Sequence, residues 1–393
     1  MLDCSKGSEG SNLAESGADV VIVGAGIIGL AHAYLAAKAG RSVAVFEKGH
    51  RASGASVRNF GMIWPIGQPA GDLLKLSLRS RDLWLEILHE AQLPYRDTGS
   101  LHLAYREDEA EVAREFAERG SQLGYECCWL TGAQVLEKSA AVQPQGLIGA
   151  LWSSTEFTID PRQVLQQLPK FLEERFDVRF HFATLVTGID SPRIETTAGG
   201  FQAETVIVCS GDDFQTLYPQ HFAASGLTRC KLQMMRTAPQ PAGWRLGPSL
   251  AAGLTMRFYP AFQPCAALPA LSRRIAEETP DFDRWGIHAL VSQTADGALT
   301  LGDSHEYGLQ VDIFNRQEID DLILAYTRRF LRAPDLTIAE RWHGIYAKHP
   351  ENPLVVMTPQ EGVRIVASPG GSGMTLSFGV AEQSMAALEI AHA

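Results

Sequence analysis

The stretch that decides the fold is residues 19–48, DVVIVGAGIIGLAHAYLAAKAGRSVAVFEK. Its β-branched run Val20–Val23 is typical of a buried parallel strand. The residues that follow predict a helix from about Ile27 to Ala39, which ends at Gly40, a common residue type just after a helix C-terminus. A second strand, Ser42–Phe46, completes a predicted βαβ unit.

The turn between this strand and this helix is rich in glycine. Its glycines stand in GxGxxG spacing, at Gly24, Gly26 and Gly29. In a dinucleotide site the first makes a tight turn, the second lets a pyrophosphate approach the backbone, and the third lets helix and strand pack closely. The N–H groups and the dipole at the helix start attract the phosphates. Glu47 follows the second strand, where its carboxylate would bind the adenosine ribose and repel the 2′-phosphate of NADP.

Composition limits the class of protein. The chain has 393 residues, 45% hydrophobic and 20% charged, which is typical of a globular protein of two or three domains. The formal net charge of −11 disfavours a nucleic-acid binder, although a locally basic pocket is still compatible with an anionic substrate. Six cysteines without a CxxC pair predict neither a metal site nor a disulfide scaffold, and they fit a reducing cytoplasm.

The N-terminal segment has no targeting signal that we recognise. Residues 1–17, MLDCSKGSEGSNLAESG, are polar, lack the apolar core of a secretory signal and are interpreted as a disordered leader. The apolar stretch Val20–Ala39 is long enough for a membrane span, but His32 and Lys38 lie within it. A strand, turn and helix explain its glycines better, so we expect a chain without a transmembrane segment.

The residues after Glu47 favour FAD over NAD. Residues 48–71, KGHRASGASVRNFGMIWPIGQPAG, predict an extended loop that lines a cofactor, followed by a helix over Asp72–Glu90. A simple NAD-binding fold would continue with another regular βα unit. No second GxGxxG occurs between residues 60 and 340, so the hydride is expected to come from an organic substrate. Oxygen or an electron carrier would then accept the electrons.

A second glycine-rich turn lies near the C-terminus, in Ser368–Thr375. Its glycines would let the backbone approach a flat ring. The predicted helix Thr375–Ala391 would point its positive end at that ring and stabilise a reduced flavin.

Together these motifs resemble the D-amino-acid-oxidase-like FAD oxidoreductases, which include glycine oxidase, sarcosine oxidase and D-amino-acid dehydrogenases. Further segments that carry the resemblance are 158–162, 203–211, 296–303 and 368–375. The resemblance runs from about Asp19 to the C-terminus. It implies an α/β fold: a Rossmann-like FAD-binding domain with a second, mostly antiparallel-sheet substrate domain. Because no cysteine follows Cys265, we expect the FAD to be non-covalent.

The expected domains are discontinuous. We assign residues 18–95, 145–225 and 335–393 to the FAD-binding domain, and residues 96–144 and 226–334 to the substrate domain. The elements expected in the substrate domain are the strands Ser100–Ala104, Lys231–Thr237, Gly286–Gln293 and Ala298–Leu301 and a charged helix over Glu107–Gly124. The residues expected to contact FAD are Gly24, Gly26, Ile28, Gly29, Glu47, Lys48, Ser56, Arg58, Asn59, Gly61, Gly211, Gly371, Gly373, Met374 and Thr375.

A narrower resemblance concerns the substrate. The runs GASVRNFG (54–61), Trp64-Pro65, Gly67-Gln68 and GDSHEY (302–307) are similar to a bacterial branch associated with aminophosphonate catabolism. This implies oxidation of a small amine of the 2-aminoethylphosphonate type, by oxidative deamination or N-demethylation. Two alternatives stay open: a glycine, sarcosine or D-amino-acid oxidase or dehydrogenase, and an FAD-dependent 2-hydroxy-acid dehydrogenase. A flavoprotein that modifies tRNA is disfavoured by the acidic net charge.

The chemistry itself requires little of the protein. Hydride passes from the carbon next to a neutral amine to flavin N5, so the protein has to orient that carbon and hold the anionic end of the substrate. Candidates for the anion are Arg257, Arg341, Lys348 and Arg58, each of which could instead be a surface charge or a structural ion pair. His343 and Tyr259 could line the pocket or bind the amine. His102 and His305 receive no role.

Overall fold

The computed structural model describes residues 17–391, without the side chains of Ser368 and of residues 388–391. The expected leader, residues 1–17, lies outside the described residues except for Gly17. The strands are β1 Gly17–Val23, β2 Val43–Phe46, β3 Met62–Ile63, β4 Tyr95–Arg96, β5 Ser100–Ala104, β6 Cys127–Thr131, β7 Gly149–Ser153, β8 Phe157–Ile159, β9 Arg179–His181, β10 Val186–Asp190, β11 Arg193–Thr196, β12 Gly199–Val208, β13 Thr228–Thr237, β14 Ser249–Ala252, β15 Leu290–Gln293, β16 Leu299–Gly302, β17 Glu306–Gly308, β18 Ile338–Lys348, β19 Val355–Gln360 and β20 Val363–Ser368. The helices are α1 Ile27–Lys38, α2 Asp72–Glu90, α3 Glu107–Gly120, α4 Gly132–Lys138, α5 Pro161–Phe176, α6 Pro219–Ala224, α7 Leu268–Glu278, α8 Pro280–Arg284, α9 Gln317–Phe330 and α10 Gly373–Ala391.

The first large sheet contains the predicted βαβ unit. Its parallel core has the order β20, β12, β1, β2, β9, and the antiparallel strands β10, β11 and β19 extend it. The helices α1, α2, α5 and α10 pack together and bury Leu30, Trp84, Leu168 and Phe378 in one apolar cluster. This is a Rossmann-like layer of helices on a parallel sheet, as predicted.

The second large sheet is mostly antiparallel. Its nine strands have the order β17, β13, β16, β15, β14, β5, β7, β6, with β18 beside β13, and only β5 and β14 pair in parallel. A small sheet, β3, β8 and β4, lies apart from both large sheets. The predicted two-part α/β architecture is confirmed.

Several local predictions match the structure closely. The bounds of α2 and β5 are those predicted. Helix α5 begins at the Asp-Pro pair of the segment 158–162, which carries the family resemblance. The Asp160 carboxylate accepts hydrogen bonds from the backbone N–H groups of Arg162 (3.0 Å) and Gln163 (3.3 Å).

Other elements are shorter than predicted. The charged helix expected over Glu107–Gly124 ends at Gly120, where a Cβ would come within 2.5 Å of Cys127 Sγ on β6. The strand expected from Gly286 begins only at Leu290, and Gly286 itself has a left-handed φ of 54°.

Two strands from segments assigned to the FAD-binding domain pair in the second sheet instead of the first. Strands β7 and β18 fall within the segments assigned to the FAD-binding domain, but β7 pairs between β5 and β6 and β18 pairs along β13. Strand partners far apart in the chain are set by tertiary pairing, which local sequence patterns do not reveal.

The β1–α1 turn depends on its glycines in two different ways. Gly24 has a φ of 104°, a conformation that favours glycine. Gly29 lies inside α1, where a Cβ would overlap the carbonyl oxygen of Gly24. Gly29 therefore sets how closely α1 approaches the turn. Among the described residues, no helix combines the length and apolar character that a bilayer span needs.

We expect Gly29→Ala to destabilise the protein strongly. The added methyl overlaps the Gly24 carbonyl, and overpacking of this kind typically costs about 1–3 kcal/mol, more when backbone must move. Thermal unfolding followed by circular dichroism would measure the loss. Gly200→Ala in β12 is the matched control, since its Cβ would meet no atom within 4 Å. Equal melting temperatures for the two variants would contradict the assigned role of Gly29.

Candidate active site

A cavity of about 1140 Å³ is lined by residues from both large sheets. This exceeds the roughly 300–1,000 Å³ of ordinary small-ligand pockets. Of the residues predicted to contact FAD, those that line the cavity are Gly24, Gly26, Ile28, Glu47, Lys48, Ser56, Arg58, Asn59, Gly211, Gly371, Gly373, Met374 and Thr375. The structure thus brings three segments that are far apart in sequence around one space.

Two predicted FAD contacts do not line the cavity. Gly29 packs α1 against the turn, as described above. Gly61 has a φ of 71°, and a Cβ there would overlap the carbonyl oxygen of Ile159 on β8. Both glycines serve close backbone approach within the protein.

The β1–α1 turn is held by side chains from the next two segments. One Glu47 carboxylate oxygen accepts a hydrogen bond from Ala25 N (3.0 Å) and the other from Gly49 N (2.8 Å). Ser56 Oγ accepts a hydrogen bond from Ile27 N (2.9 Å), in the first turn of α1. A Cβ at Gly26 would meet only Ser56 Oγ, at 3.2 Å. The helix start is therefore open on its cavity side, as a phosphate cradle requires.

The loop over residues 55–61 is braced from within. Asn59 Nδ2 donates hydrogen bonds to the carbonyl oxygens of Ala55 and Ser56, both at 2.9 Å, and Asn59 Oδ1 accepts one from Gly61 N at 2.7 Å. Asn59 therefore fixes the loop that carries Arg58 into the cavity lining.

The glycine turn before α10 is tied to the segment after β3. Thr375 Oγ1 accepts a hydrogen bond from Trp64 N (2.9 Å), and Gln68 Nε2 donates one to Ser372 Oγ (2.9 Å). Trp84 Nε1 on α2 donates to the Met374 carbonyl oxygen (2.7 Å). These contacts fix the N-terminus of α10 against the cavity.

Lys48 lines the cavity as an ion-paired residue. Its ammonium donates to Asp213 Oδ2 at 2.7 Å. Burial opposes ionisation of Asp213, but hydrogen bonds from Lys48 and Thr216 outweigh it and bring the pKa of Asp213 to about 2. The pair thus stays charged at the edge of the site.

The predicted substrate-binding residues separate into two groups. Tyr259, Lys348 and Arg58 line the cavity. Arg58 also donates a hydrogen bond from Nη1 to the His343 carbonyl oxygen (3.1 Å). A Cβ at Gly370 would lie 3.7 Å from Lys348 Nζ, so this ammonium group lies beside the glycine turn before α10.

The other three candidates are absent from the cavity lining and have protein partners. Arg257 forms an ion pair with Asp283, and its side chain is 10% exposed. Arg341 Nε donates to the buried Asp320 carboxylate at 3.0 Å. The His343 ring contacts Asn315 Oδ1 at 3.0 Å. These are the structural ion pairs and surface contacts that stayed open as alternatives.

A cluster that the sequence interpretation missed lines the cavity. We call His288, Asp303 and His305 the His–Asp–His cluster; one ligating atom of each lies within 4.8 Å of those of the other two. Asp303 is 4% exposed and His288 is 6% exposed. Alternation along an extended segment places residues 303 and 305 on one face, and that is the signal that could have found them.

Burial controls the charges of this cluster. It lowers the pKa of His288 to about 3 and lowers that of His305 as well, so both imidazoles are neutral near pH 7. It raises the pKa of Asp303 to about 6, which leaves a carboxylate at neutral pH. The cluster therefore carries one negative charge and suits a cation.

The comparison with known families identifies the family of the chain and the cofactor that belongs to it. Residues 19–387 match the family described as FAD dependent oxidoreductase. The chain belongs to this family. FAD is its cofactor, and the glycine turns, Glu47 and the start of α10 line the cavity that would hold it.

Curated relatives of this FAD dependent oxidoreductase align over part of their length. A glycine oxidase of Geobacillus kaustophilus (strain HTA426) is 28% identical over 211 residues, 49% of this chain and 54% of the relative. A glycerol 3-phosphate dehydrogenase of Caloramator mitchellensis is 28% identical over 201 residues, 49% of this chain and 42% of the relative. The alignments thus span about half the length of the curated relatives.

Solved structures with a similar fold superpose on almost the whole of this chain. Glycine oxidase from Geobacillus kaustophilus gives a TM-score of 0.76 at 21% identity and covers 95% of both chains. L-alpha-Glycerophosphate Oxidase from Mycoplasma pneumoniae, with FAD bound, gives 0.73 at 18% identity and also covers 95% of both. At these identities the likeness concerns the fold, and it confirms the predicted fold class.

We expect Gly26→Val to abolish FAD binding while the fold survives. The side chain would enter the open side of the helix start, where only Ser56 Oγ lies within 4 Å of the Cβ position. The ratio of absorbance at 450 nm to that at 280 nm reports occupancy, and circular dichroism reports the fold. Gly200→Val is the control. A fully yellow Gly26→Val protein would show that the pyrophosphate lies elsewhere.

Proposed function

We propose that this FAD-dependent oxidoreductase oxidises the carbon next to nitrogen in a small amine, of the 2-aminoethylphosphonate class. The observation that carries the proposal is the shared cavity, which joins the expected FAD segments to a wall bearing the His–Asp–His cluster and Lys348. A carboxylate and an ammonium group on one wall fit a substrate that carries both charges. Oxygen or an electron carrier would be the acceptor.

FAD, when bound, supplies the chemistry by accepting hydride from that carbon. The protein's own contribution is to desolvate the amine and orient the carbon. Aromatic side chains in the lining would exclude water from the substrate; they are Phe60, Trp64, Phe258, Tyr259, Tyr307 and Tyr346. Lys348 and Arg58 are the cations we assign to the anionic end, because both line the cavity.

A glycine, sarcosine or D-amino-acid oxidase or dehydrogenase is the second candidate. Two curated relatives are glycine oxidases, from Geobacillus kaustophilus and Bacillus licheniformis, which favours a carboxylate substrate. A 2-hydroxy-acid substrate is the third candidate. The glycerol 3-phosphate dehydrogenase relative acts on a polyol phosphate, so it supports only the general point that the substrate could carry a hydroxyl group in place of the amine. Comparison of amine substrates with one another and with a 2-hydroxy acid separates all three.

We expect amines that carry a phosphonate to be the better substrates. A phosphonate dianion offers three oxygens to Lys348 and Arg58, and a carboxylate would leave one of these cations underpaired. The measurement is kcat/KM for 2-aminoethylphosphonate and its N-methyl form against β-alanine, glycine and sarcosine. A preference for glycine or sarcosine of roughly tenfold or more would favour the amino-acid oxidase instead.

We also expect Lys348→Met to lower kcat/KM for an amine substrate that carries an anionic group. Losing a charge-assisted contact in a sheltered site lowers kcat/KM by about 10- to 100-fold. FAD content should be retained, because the turn expected to bind the pyrophosphate lies between β1 and α1, whereas Lys348 lies at the end of β18. Lys170→Met, at an exposed position on α5, is the matched control. If both lysine variants behave like the wild type, the anion is held by another residue.

A further inference from the structure

The His–Asp–His cluster lies at one end of the β15–β16 pair, with His288 before β15 and Asp303 and His305 after β16. His288 N donates to the Asp303 carbonyl oxygen at 2.8 Å, and Asp303 N donates in return to the His288 carbonyl oxygen. The His305 ring nitrogen Nδ1 contacts the Gly286 carbonyl oxygen at 2.9 Å. Since a carbonyl accepts only, His305 Nδ1 carries the proton and Nε2 keeps its lone pair.

One oxygen of the Asp303 carboxylate, Oδ1, lacks a hydrogen-bond partner among the described residues. Oδ1 lies 3.3 Å from His288 Nδ1, but among the described residues no group forms a hydrogen bond with this oxygen. His288 Nε2 likewise has no partner within the described part of the chain. A buried carboxylate without compensation is costly, so this cluster is poised to accept a cation from the cavity.

Aromatic rings shield the cluster from water. The Phe258 ring lies 5.0 Å from the His288 ring and 5.4 Å from the His305 ring, centroid to centroid. Tyr259 lies 5.2 Å from His288. In such surroundings a contact between a carboxylate and a cation is stronger than it would be in open solvent.

We propose that Asp303, flanked by the neutral imidazoles of His288 and His305, binds the ammonium group of the substrate and takes up the proton that this group loses before hydride leaves the neighbouring carbon. This inference rests on the proposed function and adds the residue that recognises the nitrogen. It divides the cavity wall by charge: Asp303 takes the cationic end and Lys348 the anionic end. Selection for amines over amine-free anions then depends on one carboxylate.

An ammonium group fits the cluster better than a divalent metal ion does. The cluster carries one negative charge, which a single ammonium neutralises. A divalent ion would leave a buried excess of positive charge, and the Arg257 guanidinium already faces His288. Uncompensated buried charge is strongly unfavourable.

The test compares ligands that differ only in the amine. With the bound FAD reduced by dithionite under anaerobic conditions there is no turnover, and calorimetry measures the affinities of 2-aminoethylphosphonate and ethylphosphonate. We expect Asp303→Asn to lower the affinity for 2-aminoethylphosphonate by about 10- to 100-fold and to leave the affinity for ethylphosphonate unchanged. Asp296→Asn is the matched control: it removes the same charge from the turn between β15 and β16, outside the cavity lining.

A pH series on the wild type supplies a test that needs no variant. The ionisable groups that face Asp303 are His288, His305, Cys230, Tyr259, Tyr307 and Tyr346, and beyond them lie Lys348 and Arg257. Burial lowers the pKa of His288 to about 3 and raises the pKa of Cys230 and of the three tyrosines, which keeps these groups neutral between pH 5 and 8. Burial also lowers the pKa of His305 from its usual value.

The ratio of the affinities for the two ligands should therefore change with pH as the carboxyl group of Asp303 ionises. Burial raises its pKa to about 6, so the preference for the amine is present above that pH and falls as the carboxyl is protonated below it. The ammonium group of 2-aminoethylphosphonate makes its phosphonate more acidic than that of ethylphosphonate, so each affinity is referred to the concentration of the dianion of that ligand before the ratio is taken. This series decides the matter if Asp303→Asn loses FAD or fails to fold.

The outcomes separate this inference from the proposed function. If the wild type oxidises amines but the ratio is unaffected by Asp303→Asn, or in its absence by pH, only the role of Asp303 is overturned. A wild type that oxidises no amine overturns the proposed function and the inference with it. A stoichiometric metal ion in the purified protein that is lost in Asp303→Asn would overturn the inference in favour of a metal site.

Discussion

The close approach of helix α1 to the turn that precedes it is the constraint on which the site depends. Gly29 leaves no space for a side chain against the Gly24 carbonyl, so the helix start reaches the carboxyl end of β1. Glu47, just after β2, accepts a hydrogen bond from Ala25 N in the turn, and Ser56 accepts one from Ile27 N at the start of α1. The remaining walls of the cavity are arranged around this fixed point.

The predictions from sequence succeed where conformation is decided locally. The GxGxxG turn and the α2 bounds follow from features that act within a few residues, such as glycine geometry and the local sequence pattern. Most of the expected FAD contacts line the cavity for the same reason. They belong to the turns themselves.

The substrate wall was harder to predict because its residues meet through pairing across the sheet. Backbone hydrogen bonds pair Asp303 with His288 just beyond the end of the β15–β16 pair. Nothing local in the sequence indicates that these two residues lie opposite each other. Conversely, Arg257 and Arg341 have apolar or motif-like neighbours in sequence, yet each is paired with an aspartate in the folded chain. An arginine among apolar residues is expected to pair with a negative charge, and that charge can belong to the protein as well as to a ligand.

The hydrogen bond between Trp64 N and Thr375 Oγ1 joins residues 311 positions apart. During synthesis at about 5–20 residues per second, roughly 15–60 s pass between the emergence of these two partners. Throughout that interval the first βαβ unit exists without α10, whose Phe378 packs on Trp84 and Tyr34. The nascent chain must therefore keep a large apolar face from aggregating until its last helix arrives, and stable capture of the dinucleotide is a late event in its maturation.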